Sequence, residues 1–174
     1  DWINDTSAGR DSPAMLALAA ERGAPLVLMH RQGTPADMQA DPRYGDVMAE
    51  VSAFLLERVE AALAAGIAPE SILLDPGIGF GKRREHNLVL MARLHELAGL
   101  GYPVLLGASR KRFMGGICNE TWPTRLVHAT TATTALGVAA GVRVFRVHDV
   151  TANRQAADVA WAIAQRADGD PGPL

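Results

Sequence analysis

Cysteine is almost missing from this chain. Cys118 stands alone among 174 residues, so no internal disulfide is possible, and a reducing, cytoplasmic setting is the default expectation. The net charge is only -2, with acids and bases spread along the sequence. The lack of a basic run argues against nucleic acid as a partner, and the lack of an acidic tail argues against a solvating segment. No signal peptide opens the chain, and no apolar run is long enough to span a bilayer. An initiator methionine is lacking too. The opening DWIND reads as the end of a strand, with Trp2 and Ile3 leading into Asn4 and Asp5, so the expectation is a piece of a longer protein.

What is present is apolar bulk. Hydrophobic residues make up 48% of the chain, enough for one globular domain with a sizeable core. Residues 2–5, 25–30, 72–75, 103–108 and 142–148 are near-continuous apolar runs, as parallel strands buried on both faces require. Helical patterns lie between them. Ser12 and Pro13 read as an N-cap and first helical residue, with Gly23 closing that helix. Val47, Val51, Phe54, Leu55, Val59, Ala62 and Leu63 mark one face of a helix over 47–63. Further helices are expected over 86–97, over 125–140, and from a Thr151 cap to about Ala167. The domain is expected over 1–167, with DGDPGPL at 168–174 as a flexible tail.

Five βα units in series specify an α/β protein with a parallel sheet. An open doubly wound sheet gathers its ligand groups at one switch point, whereas a (β/α)8 barrel brings every strand C-terminus to one mouth. Here all five strands end in polar residues: Asn4-Asp5, Met29-His30, Asp75, Ser109-Arg110-Lys111, and Arg146 with His148-Asp149. This favours a partial (β/α)8 TIM barrel. A whole barrel needs about 250 residues, so the expected elements are parallel strands four to eight with their helices.

The stretch LLDPGIGFGK at 73–82 sets one acid at the mouth of a glycine loop. A phosphate-binding P-loop fails, because Pro76 replaces the first glycine and Arg83 follows Lys82. The dinucleotide fingerprint fails on its spacing, because Gly77, Gly79 and Gly81 are evenly placed. A tight βα turn explains the glycines but neither Asp75 nor Phe80. A flat pocket wall explains all three: backbone close to a planar ligand, an aromatic face, and a carboxylate that accepts paired N–H donors. In LLGASRKRF at 105–113, three cations and a hydroxyl follow a buried strand, which suggests an anionic or carbonyl-bearing ligand. In VFRVHDV at 144–150, alternation puts Arg146 and His148 on one face. A buried Arg146 needs an anion. Phosphate or pyrophosphate fits, with an internal Arg146–Asp149 pair as the alternative. His30 reads as structural and Met29 as ring packing or core. No His/Cys/Asp cluster suggests a protein-held metal.

Together, IND-x-S at 3–7, LMH-xx-GTP at 28–35, DPGIGFGK at 75–82, GASRKRF at 107–113 and RVHDV at 146–150 resemble the dihydropteroate synthase family, in its order and at plausible separations. The resemblance implies condensation of 6-hydroxymethyl-7,8-dihydropterin diphosphate with 4-aminobenzoate, giving 7,8-dihydropteroate and pyrophosphate. By resemblance, Asn4, Asp75 and Lys111 contact the pterin, with Asp75 and Lys111 the catalytic pair. Met29, Phe80 and Gly107 shape its pocket, Ser109 lies near the aminobenzoate carboxylate, and Arg146 and His148 hold the diphosphate. It also implies Mg²⁺ with the diphosphate, its Asn ligand lying in a segment upstream of Asp1, and a homodimer through the barrel helices. Thr6, Ala8 and Arg31 depart mildly from the family pattern. Without the family's first three βα units, residues 1–174 alone are expected to be inactive. Two other readings share some of these residues: the pterin-binding barrel of a methyltetrahydrofolate methyltransferase, and a non-catalytic half-barrel binding module.

Overall fold

The computed structural model describes residues 1–12 and 14–167. Pro13 of the expected helix start and the expected tail at 168–174 lie outside the described residues. Five parallel strands alternate with helices: β1 (Ile3–Asp5), α1 (Ala14–Arg22), β2 (Leu26–Met29), α2 (Val47–Ala64), β3 (Ile72–Asp75), α3 (Arg84–Ala92), α4 (Leu94–Ala98), β4 (Leu105–Leu106), α5 (Arg112–Cys118), α6 (Val127–Ala139), β5 (Val144–Phe145) and α7 (Val150–Ala167). β1, β2 and β3 pair in sequence order, β4 pairs with β5, and a parallel bridge between Leu74 and Val104 joins the two groups. The α/β class and the parallel strands agree with the sequence reading.

The strand alternation sorts the core. Leu26, Leu28, Ile72, Leu74, Val104 and Leu106 point outward into one large cluster with Leu16, Val51, Leu55, Val59, Leu90, Leu94 and Leu97 of the helices. Val27, Leu73 and Leu105 point the other way and meet Val144. By the same alternation, Asn4, Met29, Asp75, Gly107 and Arg146 belong to this second, inner face.

That face is concave. On a flat sheet β1 and β5 would stand about 19 Å apart, beyond the combined reach of two side chains. Yet the Arg146 guanidinium donates to the Asn4 side-chain oxygen. Curvature therefore brings the first and last described strands to one site.

Several sequence expectations need correction. The strands are shorter than the apolar runs, most of all in β4 and β5. The helix expected over 86–97 is two helices, divided at Arg93, where φ is -110°. Thr151 does not cap the last helix, because Val150 already begins it. Leu63 is 37% exposed and lies off the buried face of α2. α5 has no counterpart in the sequence reading: RFMGGIC carries two glycines, poor helix formers. Gly115 is needed there for close approach, since a methyl group on it would stand 2.6 Å from the Glu120 carbonyl oxygen.

α6 and α7 share a buried polar contact. Thr134 Oγ1 donates to Asn153 Oδ1 at 2.6 Å, and Asn153 Nδ2 donates to the Asp149 carbonyl at 2.9 Å. Thr134→Val removes the hydroxyl donor to a buried amide oxygen, so it is expected to cost about 1–3 kcal/mol in urea unfolding, with Thr134→Ser retaining most of the stability.

Candidate active site

Asp75 ends β3 with none of its surface exposed. Its Oδ1 accepts the Gly77 N–H at 2.7 Å, and its Oδ2 stands 3.3 Å from Arg146 Nη2. Burial pushes the carboxyl above the ordinary carboxylate range. The Gly77 bond and the cations Arg146, Lys82 and Lys111 pull it back only in part. It is an acceptor with less compensation than its burial demands.

The glycine loop leaves β3 over residues 76–81. Gly77 (φ 67°) is sterically obligatory, since a methyl group there would lie 1.9 Å from the His30 carbonyl oxygen. The turn closes through Phe80 N–H to Gly77 C=O at 3.0 Å. It presents Phe80, whose ring centre lies 4.1 Å from Lys111 Nζ. Burial lowers the Lys111 ammonium, Asp75 opposes the shift and Arg146 adds to it.

At the other end Ser109 Oγ and His148 Nδ1 lie 2.9 Å apart, and the His148 backbone N–H donates to Ser109 Oγ at 3.2 Å. Arg146 passes close to Gly107, where a methyl group would stand 2.5 Å from its Nη2. Phe80, Gly107, Ser109, Lys111, Arg146 and His148 line one cavity of about 260 Å³. The residues picked out by sequence thus converge, with Asn4 and Asp75 joined to them through Arg146.

Two expectations change. Arg146 is not a buried arginine lacking a partner: its side chain is 43% exposed and already bound to Asp75 and Asn4. The alternative Arg146–Asp149 pair is overturned, because Asp149 takes Arg110 at 2.9 and 3.1 Å. Met29 is fully buried, with its Cγ 3.3 Å from the place a Gly77 methyl group would take.

Sequence reasoning passed over Lys82. Its ammonium is buried and lies 2.8 Å from His30 Nδ1, 3.0 Å from the Phe80 carbonyl and 3.1 Å from the Gly77 carbonyl. The glycine spacing drew attention to the loop, and nothing local marked the lysine that closes it. Beyond Lys111 lies a larger cleft of about 500 Å³, lined by Gln39, Gly79, Arg83, Arg84 and Arg112 among others.

The acids near the site do not fit a protein-held Mg²⁺, which favours carboxylate and water oxygens. Asp75 is engaged with Gly77 and Arg146, and Asp149 with Arg110. Asp5 is used by the N–H groups of Ser7 and Gly9.

This buried acid beside a glycine loop, facing cations on the next strands, belongs to a known class. The sequence pattern of the pterin binding enzyme family matches residues 1–148, and the chain belongs to that family. It is similar to the dihydropteroate synthase of Synechocystis sp., at 44% identity over 163 residues, which is 94% of this chain and 56% of the relative. The crystal structure of the Thermus thermophilus dihydropteroate synthase in complex with 6HMPPP matches with a TM-score of 0.87 at 46% identity, over 92% of this chain and 63% of that one. The Xanthomonas albilineans dihydropteroate synthase in complex with 7,8-dihydropteroate matches with a TM-score of 0.84 at 40% identity, over 98% of this chain and 60% of that one. The chain therefore spans little more than half the length of the curated relatives it matches.

His30, beneath the loop, gives a stability prediction. Burial first, then the charges of Lys82 and Arg10, lower its imidazole to about 3. The unfolded chain would bind a proton near pH ~6.5 that the folded state refuses. Stability should therefore fall on acidification from about 6.5 toward 3, by up to about 1.4 kcal/mol per pH unit. His30→Gln, which keeps an acceptor but cannot titrate, should flatten that part of the profile of melting temperature against pH.

Proposed function

We propose that this chain forms the pterin-binding and diphosphate-binding part of a dihydropteroate synthase. On this reading it is an arc of a (β/α)8 barrel, strands four to eight with their helices, and the concave inner face supports that placement. The observation that carries the reading is the buried Asp75 on the same inner face as an end made of the cations Lys111 and Arg146 with His148 beside them. A pterin offers adjacent N–H donors from its aminopyrimidine edge, and a carboxylate is the acceptor that matches them.

The reaction joins two substrates. The amine nitrogen of 4-aminobenzoate attacks the methylene carbon of 6-hydroxymethyl-7,8-dihydropterin diphosphate. The carbon–oxygen bond breaks, pyrophosphate leaves with the bonding pair, and the arylamine loses a proton to solvent. The arylamine is neutral at pH 7, so no strong base is needed. Asp75 and Asn4 orient the pterin. Lys111, held against Phe80, covers the ring edge. Arg146 and His148 attract the charge that grows on the leaving group. Ser109, tied to His148, stands where the aminobenzoate carboxylate would approach. Mg²⁺, as implied by the family, would come with the diphosphate rather than with residues of this chain.

A homodimer through the outer helices belongs to the same reading. Leu136, Val159, Trp161 and Ile163 are exposed on α6 and α7 and support it. Among the described residues no helix is long and apolar enough to cross a membrane. The exposed free thiol of Cys118 suits a reducing cytoplasm.

The test is pyrophosphate release by the full gene product that carries these residues. Release that depends on 4-aminobenzoate is expected. Pterin binding without such release would favour a binding barrel, and release without 4-aminobenzoate dependence would favour another pterin enzyme. Asp75→Asn is expected to lower kcat/KM about 10²-fold, because the amide repels one of two paired donors.

A further inference from the structure

Lys82 is 4% exposed, and the reaction above leaves it without a task. An ammonium has three N–H donors and no lone pair. The three shortest contacts, to His30 Nδ1, Phe80 C=O and Gly77 C=O, use all three. His30 must then accept at Nδ1 and carry its proton on Nε2. Gly77 sits at the junction, donating its N–H to Asp75 while its carbonyl accepts from Lys82. One residue thus links the acid to the lysine. Phe80, the aromatic wall, is tied to the same ammonium. Gly77, Gly79 and Gly81 bring no side chains to hold the loop, and a further side-chain tie is Asn87 Oδ1, which accepts the Gly79 N–H at 2.7 Å.

We propose that Lys82 is a positioning residue of the pterin site: its charged ammonium holds Gly77 and Phe80 in the loop shape that presents Asp75 and the aromatic wall to the pterin. The inference rests on the reading of Asp75 as the pterin acceptor. It extends to pH. Burial lowers the Lys82 ammonium to about 7, Asp75 opposes the shift and Lys111 adds to it. The titratable and charged groups that bear on it are Asp75 at the end of β3, His30 after β2 and Lys111 after β4, with Arg10 acting on His30 and Arg146 on Asp75. As pH rises through about 7, the neutral amine loses its charge beneath Asp75, and it keeps the His30 contact only if the imidazole moves its proton to Nδ1. Pterin affinity should then decline on the alkaline side.

The test uses the full gene product and 6-hydroxymethyl-7,8-dihydropterin diphosphate. Calorimetric Kd is measured between about pH 6 and 9, with turnover in 4-aminobenzoate alongside, for wild type, Lys82→Met and Lys82→Arg. Wild type should bind several-fold more weakly at the alkaline end. Lys82→Met should raise Kd and KM about ten-fold, change kcat little and abolish the alkaline decline. Lys82→Arg, whose guanidinium stays charged throughout, should recover affinity and show a flat profile. A merely structural lysine would lower melting temperature without altering the pH profile of the surviving protein. A wild-type Kd that is flat across the range overturns the inference, whether or not the variants fold. So does Lys82→Met with the wild-type Kd and the wild-type decline. Wild-type binding without turnover would count against the synthase reading and leave the binding arms to decide on Lys82.

Discussion

A carboxylate with no exposed surface, set at the end of an apolar strand, is the constraint on which the site depends. An isolated charge there would cost many kcal/mol, and proteins normally answer by pairing it or by shifting its pKa. Asp75 shows both responses. It accepts one backbone N–H and faces a guanidinium and two ammonium groups, yet burial still pushes its carboxyl upward. The surroundings do not fully satisfy the acid. That leaves the acid able to take a ligand's donors.

The neighbours follow from that demand. The Gly77 N–H can reach Asp75 only because the loop turns back at positive φ, where a side chain would strike the His30 carbonyl. Arg146 reaches Asp75 and Asn4 only because the sheet is concave. It fits there only because Gly107 has no side chain. Small residues and curvature serve one purpose, which is to bring charged groups on separate strands within bonding distance of one acid.

Much of this is legible in sequence, for a definite reason. Strand alternation is local, so Arg146 and His148 can be assigned to one face from spacing alone, while strand register adds Asn4, Met29, Asp75 and Gly107 to that face. Three things cannot be read. The contact of Arg146 with Asn4 joins residues 142 positions apart and depends on curvature. The burial of Lys82 depends on where a flexible four-carbon stem is led, and here it is led under the loop rather than to solvent. Arg110 and Arg146 stand on adjacent strand ends, and only geometry decides that Asp149 takes the first of them.

The same geometry bears on selectivity. Without ligand, the acid and the cation of the site stand in contact, with 3.3 Å between Asp75 and Arg146. On the proposed reading, a pterin lacking a diphosphate must separate that pair and supply donors to the acid alone, leaving the guanidinium without its anion. A free diphosphate does the reverse. A molecule carrying both parts replaces both partners in one event, and neither charge is left unpaired. Arg146 is well exposed and Asp75 is not, so the exchange is uneven. The guanidinium can swing toward an arriving anion at small cost in solvation, while the carboxylate stays fixed by Gly77 and waits for its donors. Discrimination between the activated pterin and its unactivated alcohol thus falls to the residue free to move, and recognition of the ring to the residue that is not.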